Sequence, residues 1–328
     1  MTNRTDGAET STLSPDDAFA ALGNETRVEV LKQLGTAEGP LSFSELRSRL
    51  GMDDPGQFNY HLGKLKGHFI RDTDDGYELR KTGNRVVEAV LSGAVTDAPI
   101  LERTRLDAPC PYCSADVEIS YHEERLSTRC TECAGSFAGS ESSTRAFGMP
   151  PYGTIALFYL PPAGLQSRTP PREILDAALK WTHLEYVTLA AGICPRCSGT
   201  IEHSIDVCED HETVDDEVCE RCNARFAVTA TVDCSNCPRY QRGPPSVFLV
   251  SNAEVASFLT DHGMNPIDPT WERVPPAVLN YGEGIVGTDP FETRLTFTID
   301  GDDLCVTIDE SLSVVAATRE ADGADTQG

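Results

Sequence analysis

Residues Gly56 to Arg71 read GQFNYHLGKLKGHFIR, and this stretch differs in charge from the chain around it. Its large apolar side chains are spaced by four, three and four residues, which predicts one apolar stripe along a helix. These side chains are Phe58, Leu62, Leu65 and Phe69. The stretch contains no carboxylate, although the whole chain has 52 acidic and 27 basic residues. The sequence therefore predicts an amphipathic helix whose exposed face is kept free of negative charge.

The composition predicts a soluble, cytoplasmic protein of two or three domains. The chain has 328 residues and a net charge of −25. It contains no apolar run of about 18 residues and no signal-peptide pattern at the N-terminus. The polar segments 1–13 and 319–328 are expected to be disordered tails.

The acidic residues are accompanied by 22 arginines and only 5 lysines. One interpretation is a cytosolic protein kept soluble by self-repulsion. The interpretation we favour is halophilic adaptation to molar salt, in which the Debye length falls to about 3 Å and surface repulsion is screened.

Residues 14–96 predict the order helix, helix, short helix, turn, helix, hairpin, helix. The helix of the opening stretch has Asp54 as its N-cap, Pro55 at the first helical position and Gln57 at the third. We expect its polar face and the nearby basic residues to contact DNA, because amide, hydroxyl, imidazole and ammonium groups read base edges and phosphates. The candidate residues are Gln57, Asn59, Tyr60, His61, Lys64, Lys66, Arg71 and Lys81. The plainer alternative is an ordinary amphipathic helix with a neutral or basic polar face.

Three segments carry a family resemblance: ALGNETRVEVLKQL, LSFSELRSRLGM and GQFNYHLGKLKGHFI. They resemble the ArsR-type winged helix-turn-helix transcription regulators, most closely those of halophilic archaea. The resemblance implies a helix in the major groove of double-stranded DNA, a hairpin wing on the backbone and a homodimer formed by terminal helices. Metal-sensing members carry cysteines on the helix that matches Ser42 to Leu50, where this chain has none, so release of DNA by that route is not expected.

All twelve cysteines lie beyond residue 96, and ten of them form Cys-x-x-Cys pairs. Two such pairs supply the four thiolates of a tetrahedral zinc site. Disulfides, thiol redox chemistry and iron–sulfur clusters are the alternatives, and zinc is favoured because an intracellular chain disfavours stable disulfides and no thioredoxin-like unit surrounds the pairs. The pairs are Cys110/Cys113, Cys130/Cys133, Cys194/Cys197, Cys219/Cys222 and Cys234/Cys237.

Strand patterns between the pairs predict how they combine. The first two pairs flank two short strands and predict a zinc ribbon over residues 108–138. For the second site we expect Cys194 and Cys197 to join Cys219 and Cys222, with two strands leaving that ion side by side. A third site at the far ends of those strands would then combine the remaining donors, which are Cys208, His211, Cys234 and Cys237.

Two zinc ions are therefore expected and a third is possible, the alternative to the third being a reduced cysteine pair beside a solvated loop. Complete sulfur-rich sets of four ligands indicate closed, structural sites. A sensing role stays open, because thiolates can be oxidised and metal can be lost.

The predicted fold class is α+β multidomain, with an N-terminal winged helix-turn-helix, zinc-ribbon-like β units joined by a helix, and a small C-terminal α+β segment. Within the second domain, 97–318, a strand and helix occupy 152–192, a zinc unit 193–240 and the α+β segment 244–318. SVFLV is predicted as a strand, and Cys305 as a small buried apolar residue. Region 97–318 resembles the zinc-binding C-terminal region of the halophilic regulators, which implies an effector or assembly domain whose small-molecule effector is unknown.

The sequence thus favours a dimeric, sequence-specific DNA-binding transcription regulator with structural zinc. The alternative is a nucleic-acid-associated zinc adaptor that binds protein or RNA. An enzyme is not predicted, since the sequence shows no phosphate loop, dinucleotide fingerprint or Ser/His/Asp arrangement.

Overall fold

The computed structural model describes residues 13–137, 152–213 and 217–320, and it is a mixed α+β structure. The chain divides into two compact units between Asp97 and Ala98. The hydrophobic core of each unit is formed by its own residues.

The predicted tails fall mostly on residues 1–12 and 321–328, which lie outside the described residues. The expectation that the C-terminal tail begins at residue 319 is wrong. Arg319 and Glu320 belong to a strand, and the Arg319 guanidinium donates a hydrogen bond to the Asp261 carboxylate at 2.6 Å.

Residues 13–97 of the first unit form five helices and one hairpin. Polar side chains accept hydrogen bonds from the first turns of α1 to α4, which explains where these helices begin. The caps are Ser14, Asn24, Ser42 and Asp54. The elements are α1 (Pro15–Leu22), α2 (Glu25–Gly35), α3 (Phe43–Arg49), α4 (Pro55–Leu65), β1 (Ile70–Thr73), β2 (Gly76–Leu79) and α5 (Lys81–Leu91).

The β1–β2 hairpin is held to the helices by a backbone bridge. Leu41 exchanges both backbone hydrogen bonds with Tyr77, at 3.0 and 2.8 Å. Gly76 has a φ of +138°, and a Cβ there would collide with the carbonyl of Leu41. A glycine is therefore required at this turn, because it tolerates both the dihedral angle and the close approach.

The predicted apolar stripe is confirmed for Phe58, Leu62 and Leu65, but α4 ends at Leu65, so Phe69 lies in the turn beyond the helix. Phe58, Leu62 and Leu65 are fully buried and Phe69 is nearly so. They pack with side chains of α2 and α3 in a single core. Burial of one face of α4 leaves the other face to the solvent.

The second unit begins with a four-stranded antiparallel meander in the order β3-β4-β5-β6. A hydrophobic core joins this sheet to the long helix α7. Trp271 is fully buried in this core, and its indole N–H donates to the carbonyl of Pro109 at 2.9 Å. The elements are β3 (Leu101–Pro109), β4 (Asp116–His122), β5 (Arg125–Cys130), β6 (Thr154–Tyr159), α6 (Pro162–Gln166) and α7 (Pro171–Ala190).

A three-stranded antiparallel sheet follows, in the order β7-β8-β9. Its strands are β7 (Ile201–Val207), β8 (Val228–Cys234) and β9 (Tyr240–Gly243). The strand predicted for SVFLV is wrong: Pro245–Phe248 is a 3-10 helix. Pro244 and Pro245 lack the N–H groups that a strand ladder needs, and their fixed φ favours a tight helical turn.

The C-terminal region contains two helices and an antiparallel sheet in the order β10-β11-β12-β13. Strands β11 and β12 form an antiparallel hairpin, and two further strands flank it. Cys305 is only partly buried, with its Sγ 3.6 Å from the Thr296 hydroxyl, so the prediction of a buried cysteine is wrong. The elements are α8 (Ala253–Asp261), α9 (Val274–Leu279), β10 (Gly282–Thr288), β11 (Phe291–Ile299), β12 (Asp302–Asp309) and β13 (Val314–Glu320).

Among the helices of the described residues, none combines the length and apolar character needed to cross a membrane.

Candidate functional site

Cluster A consists of Cys110, Cys113, Cys130 and Cys133, the combination predicted from the sequence. Its four sulfur atoms lie within 4.8 Å of one another. Each pair lies in a tight turn. In the first, the Cys110 N–H donates to the carbonyl of Ala115 at 2.8 Å, and Ser114 adopts a φ of +63°. These turns direct both thiols of each pair towards a common point.

The spacing of the thiols fits a metal ion. Within cluster A, sulfur atoms are 3.4 Å apart for Cys113–Cys130 and 3.7 Å apart for Cys110–Cys133. A disulfide needs about 2.05 Å. Four sulfurs around Zn²⁺ at about 2.3 Å form a tetrahedron with edges of about 3.8 Å. The donor chemistry and the geometry therefore fit a zinc-type ion, and all twelve cysteines are free thiols.

Cluster B consists of Cys194, Cys197, Cys234 and Cys237. Its sulfur atoms repeat the spacing of cluster A, with 3.4 Å for Cys197–Cys234 and 3.7 Å for Cys194–Cys237. Cluster C consists of Cys208, His211, Cys219 and Cys222. The described residues thus contain three groups of four ligands, where two were expected and a third was possible.

The predicted pairing of the second and third sites is wrong. The expectation required β7 and β8 to leave one ion side by side, which is a parallel arrangement. The strands are antiparallel: Ile201 is opposite Cys234, and Val207 is opposite Val228. The start of β7 therefore meets the end of β8, so the pairs exchange partners and clusters B and C lie at opposite ends of the ladder.

His211 in cluster C is oriented by a second hydrogen bond. Its Nδ1 lies 3.4 Å from the sulfur of Cys222, and its Nε2 lies 3.1 Å from the carbonyl of Arg225. The carbonyl accepts the Nε2 proton, so the Nδ1 lone pair faces the thiols. Such a partner on the other ring nitrogen is typical of a metal-bound histidine.

Each cluster contains a thiol that ionises readily. A hydrogen bond from Cys110 lowers the pKa of Cys133 to about 5. The Asn236 side chain lowers the pKa of Cys197 to about 6, and the backbone N–H of Cys222 lowers the pKa of Cys219 to about 7. A bound cation would require the remaining protons to leave, so we expect metal affinity to fall in acid.

Clusters A and C are linked by residues that the sequence did not single out. The Arg225 backbone N–H donates to the carbonyl of Ser136 at 3.0 Å, and its Nε donates to the carbonyl of Gly135 at 2.9 Å. Its guanidinium stacks on Tyr112, within the first turn of cluster A. Arg225 follows Cys222 by three residues, and that proximity is the only sequence signal for its role.

The exposed face of α4 carries most of the residues predicted to contact DNA. Gln57, Asn59 and Lys64 are exposed, and the Tyr60 side chain is 58% exposed. The Lys64 ammonium lies 5.6 Å from the centroid of the Tyr60 ring. We call these four residues the α4 face. They present an amide pair, a phenol and one cation on adjacent turns.

His61 is not part of this face, and its prediction as a DNA contact is wrong. It is 6% exposed, and its Nδ1 has no hydrogen-bond partner among the described residues. His61 follows Phe58 by three residues, so helical geometry directs it towards the core. Burial and the neighbouring Arg27 lower the pKa of His61 below its usual range, which keeps the ring neutral.

The other predicted cations are in different environments. Lys66 forms an ion pair with Asp72 at 2.8 Å, and its pKa is raised chiefly by that hydrogen bond. Arg71 forms an ion pair with Glu78 across the hairpin. Lys81 is exposed at the start of α5. Lys66 and Arg71 are thus each beside a carboxylate of the hairpin, which reduces their attraction for a second anion.

Comparison with protein families places most of the chain in one of them. The family described as "Domain of unknown function (DUF7351)" matches residues 107–314, and the chain belongs to it. The family described as "Domain of unknown function (DUF7347)" matches residues 15–90. The matched segments correspond to the unit with the cysteine clusters and to the unit with α4. No curated protein and no solved structure matches the chain.

Proposed function

We propose that the protein is a sequence-specific DNA-binding transcription regulator, and that the α4 face reads the major groove. On this proposal the first unit is a winged helix-turn-helix of the ArsR type, with α3 and α4 as the helix-turn-helix and the β1–β2 hairpin as its wing. The observation that carries the proposal is the exposure of Gln57, Asn59, Tyr60 and Lys64 together on one side of a helix.

The chemistry of the α4 face supports this function. Glutamine and asparagine carboxamides can bond both edge atoms of adenine, and a lysine can bond guanine or a phosphate. The nearest acidic side chain, Asp54, already accepts hydrogen bonds from the backbone N–H groups of Gly56 and Gln57. An acidic side chain within the face would be repelled by the phosphates, and from Pro55 to Leu65 the helix contains none.

The hairpin is less suited to contact the DNA backbone. Its turn carries Asp74 and Asp75, both exposed, and its cation Arg71 already pairs with Glu78. We therefore assign most of the recognition to base-edge contacts from α4, with Lys64 and Lys81 as the phosphate-facing cations. Base contacts also suit high salt, because phosphate contacts weaken as salt rises.

The proposal is tested by selecting duplexes that bind the full chain from a random library and measuring affinity by fluorescence anisotropy. Three variants are compared with the wild type: Gln57→Ala, Asn59→Ala and Lys64→Glu. We expect each amide variant to lose about 1–3 kcal/mol on the selected duplex and to relax the preference at one base position. Lys64→Glu should weaken binding to all duplexes.

Lys32→Glu is the matched control, because it makes the same charge change on α2, where Lys32 pairs with Glu29 at 2.9 Å. It should bind nearly as the wild type does. His61→Ala is unsuitable, since it would open a space in the core. Equal affinity of the wild type and Lys64→Glu for the selected duplex, or failure of selection to enrich any sequence, would reject the proposal.

We further propose that the three clusters hold zinc with a structural role in an effector or assembly domain. The support is that every cluster offers four protein ligands, mostly thiolates, which leaves no position open for substrate. A homodimer is proposed because Phe19 on α1 and Leu91 on α5 are large apolar side chains with 74% and 51% exposure. On this proposal the protein is cytoplasmic and is not an enzyme.

The second candidate is a zinc adaptor that binds protein or RNA through the first unit. The observation that favours it is the pairing of Lys66 with Asp72 and Arg71 with Glu78, which leaves fewer cations for a duplex. Chromatin immunoprecipitation distinguishes the two candidates. Sharp promoter peaks that Lys64→Glu removes support the regulator, and diffuse or absent peaks support the adaptor.

A further inference from the structure

A cavity in the second unit lies between two sheet edges. Strand β6 is the last strand of the first sheet and β9 the last strand of the three-stranded sheet. Both strands contribute to the cavity wall, whose volume is about 390 Å³. This volume is within the range of small-molecule sites, which is roughly 300–1,000 Å³. The cavity is separate from the α4 face and lies entirely within the second unit.

The wall of the cavity is mostly aromatic and aliphatic. Tyr159 of β6, Tyr186 of α7 and Tyr240 of β9 all line it, together with Leu157 and Val247. None of the described residues that line it is acidic, and its two cations, Arg125 and Arg242, pair with Glu123 at 3.8 Å and with Asp206 at 3.5 Å. Such a wall favours an aromatic ring, because rings stack and pack edge to face with other rings.

Tyr159 is held in place by buried charges. The Arg239 guanidinium lies 4.5 Å from the centroid of the Tyr159 ring. It forms an ion pair with Glu185 at 2.7 Å, and both side chains are nearly fully buried. The same carboxylate binds Arg196 at 2.7 Å. The wall near Tyr159 is therefore preorganised, which lowers the cost of binding a ligand.

Gln241 is a buried polar side chain of the wall, and its carboxamide lacks one hydrogen-bond partner. It is 7% exposed, and its Nε2 donates to the Tyr186 hydroxyl at 3.2 Å. Its Oε1 has no hydrogen-bond partner among the described residues. A buried acceptor without a partner costs free energy. Because Gln241 lines the cavity, a ligand with a hydroxyl or N–H group would supply the missing donor.

We propose that this cavity is a binding site for an uncharged aromatic small molecule carrying a hydroxyl or N–H donor, with Gln241 as the specificity-determining acceptor. The aromatic ring would lie among Tyr159, Tyr186 and Tyr240. Cys222 of cluster C also lines the cavity, so the ligand would lie beside a metal ligand. The site does not depend on the proposed DNA-binding function, and its test does not use DNA.

The test is isothermal titration calorimetry of the full chain with two matched probes, 2-naphthol and its methyl ether. The ether has the same rings but lacks the donor. We expect 2-naphthol to bind the wild type with a dissociation constant of about 0.1 mM or tighter. The ether should bind about three- to tenfold more weakly, as expected for loss of one hydrogen bond.

Two kinds of variant identify the cavity as the place of binding. Gln241→Leu should bind the two probes equally, since no acceptor remains to distinguish them. Leu157→Trp and Val247→Trp each add volume to the wall and should abolish binding of both probes. Two filling variants are used in case one does not fold, which far-ultraviolet circular dichroism reports.

The proposal is overturned by any of three results: no heat with 2-naphthol at millimolar concentration, equal affinity of the wild type for both probes, or unchanged binding in a folded filling variant. Retained preference for 2-naphthol in Gln241→Leu would reject Gln241 as the acceptor.

Discussion

The guanidinium carbon of Arg225 lies 4.1 Å from the centroid of the Tyr112 ring. Tyr112 stands between Cys110 and Cys113 of cluster A, and Arg225 follows the last cysteine of cluster C. The Tyr112 hydroxyl is 2.6 Å from the Ser136 hydroxyl, which in turn donates to the carbonyl of Ile155 at 2.8 Å. One side-chain network therefore joins the surroundings of clusters A and C.

We expect Arg225→Ala to lower the free energy of unfolding of the second unit by about 1–3 kcal/mol. The variant loses a stacked cation, a contact that contributes up to about 2 kcal/mol when desolvated, and a hydrogen bond to Gly135. Urea unfolding followed by circular dichroism measures the change. Arg221→Ala is the control, because Arg221 is exposed and forms its ion pair with the exposed Asp210. An equal effect of both substitutions would contradict a special role for Arg225.

Metal counting tests the ligand sets. The wild type should contain three zinc ions per chain by elemental analysis, one for each cluster. Cys197→Ser with Cys234→Ser damages cluster B alone, so two ions should remain. Cys197→Ser with Cys222→Ser damages clusters B and C, so one ion should remain. The pairing expected from the sequence gives the opposite counts, one and two, and finding them would refute the antiparallel arrangement of clusters.

Stability in acid should depend on His61. Because burial and Arg27 lower its pKa in the folded protein, the unfolded chain takes up a proton near pH 6.5 that the folded chain resists. The contribution of His61 to stability is thus present above pH 6.5 and is lost as pH falls. It changes by at most about 1.4 kcal/mol per pH unit.

His61→Leu should remove this part of the pH dependence between pH 7.5 and 5.5, as measured by unfolding of the first unit. His68→Leu serves as the control, since His68 lies in the same unit and is less buried than His61. A variant with the same acid sensitivity as the wild type would show that His61 is protonated normally in the folded protein.

Glu283 should act in the opposite direction. Its carboxylate accepts the backbone N–H groups of Ala227 at 2.7 Å and Val228 at 3.2 Å, but burial outweighs these bonds and raises its pKa to about 7. The protonated form is favoured by folding, so its contribution is full below pH 4.5 and is lost as pH rises through about 7.

Replacing Glu283 by glutamine keeps an acceptor without the charge. The stability of Glu283→Gln relative to the wild type should therefore improve between pH 5 and pH 8, as followed by thermal unfolding. Glu310→Gln, at an exposed position, should show no such trend. A constant difference between Glu283→Gln and the wild type across this range would contradict a raised pKa.

Some of this arrangement was predictable because it depends on local patterns. The spacing of Phe58, Leu62 and Leu65 determined the buried side of α4, and the regular Cys-x-x-Cys pairs determined cluster A. The polarity of His61 suggests an exposed side chain and led to the wrong prediction. Its spacing of three residues from Phe58 places it instead on the core side of the helix.

The partners in clusters B and C could not be obtained from spacing. Nearly equal strand lengths are compatible with parallel and antiparallel pairing, and only the ladder from Ile201 opposite Cys234 to Val207 opposite Val228 decides between them. The cavity between β6 and β9 could not be predicted from the sequence either, because it depends on how two sheets pack and not on any one segment.

The β7–β8 ladder has a metal-ligand set at each end. If the strands mispaired by one residue, the cysteines at both ends would move apart by about 3.3 Å along the strand, so neither tetrahedron could close. Metal binding by clusters B and C would therefore stabilise only the native register of β7 and β8 during folding. Loss of a single ion would still leave the opposite end anchored in the correct register.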